Sequence, residues 1–201
     1  MIRPSSIFLL AGCALVAAPS SAAVLLFAAP LKAANEVPPG ASPGTGFATV
    51  TVDNLLNTMR VQVSFSGLVG TTTASHIHCC TPIGTNATVA TTTPTFPGFP
   101  LGVTSGTYDQ TFDMTLASSY NPAFVTAHGG NVTQARTDLF AGLVASQSYL
   151  NIHSSLFPGG EIRGQLIARV PEPASWALMI AGFGLLGGAL RTRERRFRTT
   201  A

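Results

Sequence analysis

The sequence predicts an all-β fold, mainly antiparallel and closed as a sandwich or barrel with one or two short helices. An N-terminal signal helix and a C-terminal transmembrane helix flank it. Three features carry that prediction. Apolar and polar residues alternate in Thr58 to Phe65 and again in Thr107 to Leu116, as they do in strands with one buried face. Turn-forming residues separate several short segments of this kind, the spacing of an antiparallel sandwich or barrel. Uncharged apolar segments occupy the two ends of the chain.

In chain order, Val24 to Leu31 and Gly46 to Asp53 read as strands, and Asp53 to Asn57 as a hairpin turn. The next strand sets Met59, Val61, Val63 and Phe65 against Thr58, Arg60, Gln62 and Ser64. Ala74 to Cys80 is a further strand, and Thr81 to Gly106, rich in Thr, Pro and Gly, is mainly a long loop. Thr107 to Leu116 then turns Tyr108, Phe112, Met114 and Leu116 to one side. Two short helices follow. Asn121 caps the first, with Pro122 in its opening turn and Gly129 closing it, and Val132 to Leu139 forms the second, ending near Gly142. Ser148 to His153 and Glu161 to Ala168 complete the strands.

The ends read as addresses. Arg3, the apolar run Ile7 to Ala18 and the small residues up to Ala23 make residues 1–23 a signal peptide. Leu10-Ala11-Gly12-Cys13 also fits the box before a lipid-modified cysteine, so lipoprotein processing is the alternative. Ala174 to Leu190 is 17 residues without a charge. At about 1.5 Å per helical residue it just spans a bilayer core. Trp176 lies at the interface, and Arg191, Arg193, Arg195, Arg196 and Arg198 hold the end on the cytoplasmic side. Residues 24–170 are then one domain on the outer side, with five basic against six acidic residues. The formal net charge of +3 therefore comes from the two ends, and no basic patch for nucleic acid remains.

Pro171-Glu172-Pro173, the apolar segment and the arginine cluster follow one another directly. This tail, residues 171–201, resembles the PEP-CTERM sorting signal of Gram-negative bacteria. The resemblance implies an exosortase-type membrane peptidase that recognises Pro171, Glu172 and Pro173 and removes the anchor. The protein would pass the export machinery, sit transiently in the inner membrane, and end at the cell surface or in the extracellular matrix. A plain single-span anchor is the alternative. The segments Asn35-Glu36-Val37-Pro38-Pro39, Ser66-Gly67-Leu68, Ala74-Ser75-His76-Ile77-His78, Tyr149-Leu150-Asn151-Ile152-His153 and Phe157-Pro158-Gly159-Gly160-Glu161-Ile162-Arg163-Gly164 carry a second likeness. Together they are similar to the CHRD domain, a family named for chordin, an extracellular antagonist of secreted growth factors. That similarity implies an all-β extracellular domain and brings no activity with it; no residue here matches a growth-factor surface.

The chemistry gathers in the same segments. Residues two apart on a strand share a face. If Ile77, Ile152 and Ile162 mark the core side, then His76, His78, Asn151, His153, Glu161 and Arg163 share the opposite face. His76, His78 and His153, completed by Cys80 or Glu161, would hold copper or zinc. The competing reading is a hydrogen-bonded ladder in which Asn151 and Arg163 are structural, and Arg163 with Glu161 ties the Phe157-to-Gly160 turn to the sheet. No cofactor is assigned beyond that copper or zinc candidate. Cys79 and Cys80 are open to four states: a strained internal bridge, two free thiols, an intermolecular bridge, or Cys80 as a ligand beside His76 and His78. His128 reads as a helix cap or surface residue.

Two functions follow. The first is a non-catalytic protein targeted to the surface or matrix, with exopolysaccharide or matrix material as a candidate partner. The second is a periplasmic or extracellular metal-binding protein that uses the histidine-lined strand face. The first is favoured, because a Thr-rich surface of low charge suits a solvated extracellular life and no nucleophile elbow or phosphate loop announces an enzyme.

Overall fold

The computed structural model describes residues 24–169 and 179–184. Its strands are β1 (Val24–Lys32), β2 (Thr45–Asp53), β3 (Thr58–Ser66), β4 (Thr72–Cys79), β5 (Thr88–Val89), β6 (Gly106–Asp113), β7 (Ser148–Ser154), β8 (Ile162–Gln165) and β9 (Ile167–Arg169). The helices α1 (Pro122–Ala127) and α2 (Val132–Val144) lie between β6 and β7. All nine strands belong to one sheet in the order β5-β4-β7-β8-β1-β2-β3-β6, with β9 also on β1. The pairings are antiparallel. The sheet curls as a half-barrel around a single core and does not divide into the two layers of a sandwich.

Alternation explains the curl. Met59, Val61, Val63 and Phe65 of β3 are buried beside Ala48, Val50 and Val52 of β2, while Arg60 and Ser64 face solvent. The β2–β3 hairpin closes where the Asp53 carboxylate accepts the amide hydrogens of Leu55 and Leu56 and Asn57 takes a positive φ of 54°. The long loop after β5 then joins the sheet's two edges. Phe96, fully buried, donates its amide hydrogen to Ser75 on β4 and packs against Tyr108 and Phe112 of β6. Ile77, Ile152 and Ile162 all lie in the core at 0% exposure.

Three boundaries differ from expectation. The strand expected to reach Leu116 stops at Asp113, whose carboxylate takes both the amide and the hydroxyl hydrogen of Thr115 and turns the chain. The strand expected over Glu161 to Ala168 is two, because the chain leaves β7 at Leu166 and continues along β1. The second helix runs on through Gly142 to Val144. Gly142 is there for space, since a Cβ would collide with the sulfur of Cys79. The first helix is capped as expected, the Asn121 side chain accepting the Ala123 amide hydrogen.

No helix among the described residues is long and apolar enough to cross a membrane. Residues 179–184, inside the expected span, are helical. The signal peptide and the sorting motif Pro171, Glu172 and Pro173 lie outside the described residues.

Candidate metal centre

The site is built on one ladder. In the β4–β7 pairing His76 stands opposite Asn151, His78 opposite Tyr149, and Ala74 opposite His153. With Ile77, Leu150 and Ile152 committed to the core, these polar side chains must point outward. The outer face is nevertheless covered. Three surrounding loop segments each offer one carbonyl: Pro94 to His76 Nε2 at 2.5 Å, Ala87 to His78 Nδ1 at 2.8 Å, and Pro158 to His153 Nδ1 at 2.9 Å.

A carbonyl can only accept, so each of those ring nitrogens carries the hydrogen. The other nitrogens, His76 Nδ1, His78 Nε2 and His153 Nε2, then hold free lone pairs, and all three are buried without a hydrogen-bond partner. One ring nitrogen from each of the three histidines lies within 4.8 Å of one from each of the other two. Around a zinc ion with bonds of 2.0–2.1 Å, three nitrogens sit roughly 3.3–3.6 Å apart, so small rotamer adjustments close the set. Burial holds all three imidazoles below their ordinary pKa, His78 down to about 4, and so keeps them neutral and ready to ligate. A ring hydrogen fixed by a backbone carbonyl is also the usual way to orient a metal-bound histidine.

Two expected members are elsewhere. Cys80 is bonded to Cys79 in a disulfide, and its φ of +85° takes it out of the strand alternation toward Asp138 of α2, so it is not a ligand. The period of two ended at Cys79, where β4 ends. Glu161 turns away from the histidines to the loop before β4. Its carboxylate accepts hydrogens from Ser42, Val69 and Gly70, clamping the loop before β4. Burial pushes its pKa up, but these bonds and one from Ser154 outweigh that and hold it below its ordinary value. Glu161 and Arg163 therefore do not tie down the Phe157-to-Gly160 turn together.

Arg163 instead donates to Asn86 and Thr85 and lies 4.2 Å over the ring of Tyr149. The same ring also stacks on His78, at 4.7 Å and nearly parallel. Asn151, 2% exposed, donates to Glu36 at 3.5 Å. His128 caps α1 through Phe124, away from the cluster. Two neighbours were not singled out in the sequence: Tyr149, the stacking partner of His78, and Glu36. Burial raises Glu36 to about 7, against the pull of Arg163 and of the Asn151 hydrogen bond. The signal for both was their place in the segments that resemble the CHRD domain, Asn35-Glu36-Val37-Pro38-Pro39 and Tyr149-Leu150-Asn151-Ile152-His153.

Comparison with known proteins gives two family matches: the CHRD domain over residues 27–166 and the PEP-CTERM protein-sorting motif over residues 169–196. No curated protein and no solved structure matches the chain. The CHRD match covers most of the chain and places it in the CHRD-domain family, as an exported member that carries a PEP-CTERM sorting motif.

Proposed function

We propose that the protein is delivered to the cell surface or matrix by its sorting tail and there binds one copper or zinc ion through His76, His78 and His153, in a binding and not an enzymatic role. The observation behind this reading is a cluster of three imidazoles, each with a buried nitrogen that has no hydrogen to accept. A hydrogen-bonded ladder would have paired these nitrogens with donors. Leaving three buried acceptors unsatisfied costs about 1–3 kcal/mol each, and an ion removes that cost at one stroke. Neutral imidazoles suit zinc and copper.

On this reading the export machinery carries the chain out, the tail anchors it briefly in the inner membrane, and an exosortase-type peptidase cuts near Pro171-Glu172-Pro173. Matrix material such as exopolysaccharide is the proposed surrounding of the released domain. The test is metal analysis of the purified native protein. One equivalent of copper or zinc is expected, and His76→Ala with His78→Ala should weaken it by more than about 100-fold, beyond the usual loss from an outer-shell change. Stoichiometric binding unchanged by that pair, or no binding at all, removes the reading.

A further inference from the structure

Among the described residues, seven buried side-chain polar atoms have no hydrogen-bond partner, and five of them belong to this one region: the three histidine nitrogens, Asn151 Oδ1 and Glu36 Oε1. An ion satisfies the nitrogens and leaves the two oxygens as they were. Both are acceptors in search of a donor. Asn151 is directly opposite His76 and two residues from His153 on the same face. Its amide is held by design of the turn beside it: Gly160 has φ +130°, and a Cβ there would collide with the amide atoms. Three imidazoles, meanwhile, leave zinc or copper short of the four ligands it ordinarily takes.

Resting on the metal reading above, we propose that the ion keeps an exchangeable fourth position, filled by a water or a small anion, and that Asn151 and Glu36 are the acceptors that hold the water there. A metal-bound water brings two hydrogens, which is what two orphaned acceptors require. On its other side Glu36 lines a pocket of about 280 Å³ together with Val37, Pro38, Phe157, Pro158 and Gly160. It includes Pro158, the residue whose carbonyl orients His153. Glu36 suits the task in charge as well as place. In the metal-free protein burial raises its pKa to about 7 with only Arg163 and Asn151 opposing. A bound dication favours the carboxylate, so in the loaded protein Glu36 is negative.

That charge gives the test its sign. The purified native protein, loaded with one equivalent of Cu(II) at pH 8, is titrated with azide and followed by the azide-to-copper charge-transfer absorption. A saturable 1:1 band is expected. Glu36→Gln, which keeps the shape and removes the negative charge, should bind azide about fivefold more tightly. Independently of any variant, pulsed electron paramagnetic resonance in deuterated buffer should detect the deuterons of a copper-bound water. Copper that binds stoichiometrically but shows neither azide band nor water deuterons is coordinatively closed, and this inference fails while metal binding stands. Equal azide affinity in the wild type and Glu36→Gln removes Glu36 from the position and overturns the inference in the same way. Failure to bind copper at all overturns the metal reading and this inference with it.

Discussion

The β2–β3–β6 half of the sheet and the β4–β7–β8 half follow the same alternation yet differ in what covers their outer faces. On the first, Arg60 and Asp109 form a two-point ion pair with both side chains about half exposed, at 50% and 49%. On the second, His76, His78, Asn151 and Arg163 are between 2% and 8% exposed, because the loop after β4 and the turn before β8 fold over them. A polar residue on an open face is simply solvated. Under cover it must find a partner, and the partners missing on this half are what expose a site.

Removing a carboxylate from the covered half breaks the comparison most sharply. Glu161→Ala removes the acceptor of Ser42, Val69 and Gly70 and leaves the buried Gly70 amide hydrogen and the part-buried Val69 one unpaired. We expect a loss of about 3 kcal/mol, read from denaturant unfolding at constant m. A change within error would mean that water or a shifted loop replaces the clamp.

Acid sharpens the contrast through the buried histidines of the covered half. Burial lowers His76, His78 and His153 from 6.5, with His78 reaching about 4, so below pH 6.5 the unfolded chain binds protons that the folded one refuses. Their contribution is whole above 6.5 and is lost as pH falls. Glu36 has the opposite sign: raised from 4.5 to about 7, it keeps a proton in the fold that the unfolded chain gives up, and costs stability as pH rises through that window. Three histidines outweigh one carboxyl. Calorimetry of the metal-free protein should therefore show its melting temperature falling from pH 6.5 to 4.5, and a rise would contradict the buried-neutral assignment. The metal-loaded protein should lose more over the same range, because protons then also displace the ion.

The smallest effect belongs to the open half. Asp109→Ala breaks the Arg60 ion pair on a solvated face, and the melting temperature should stay where it was. A clear drop would show that this face is covered in the mature protein by a partner or a second copy.

Much of this could be read from the chain. Periodicity fixed which side of each strand meets the core, because a pleated strand offers only two sides, and so Ile77, Ile152 and Ile162 and the shared face of His76, His78 and His153 followed directly. Local turn chemistry located the Asp53-to-Asn57 hairpin and the Asn121 cap. Where a segment's fate depended on a distant neighbour, alternation was silent or misleading. Cys80 left the histidine face because its sulfur pairs with Cys79 beside Gly142, and Glu161 left it because the amides before β4 claim its carboxylate. Glu36 lies 115 residues from Asn151 in sequence and meets it only when β1 and β8 close side by side. The sequence by itself determined which residues face outward; only the tertiary structure decided which of them are covered, because burial of an outer face is set by loops whose path no local period encodes.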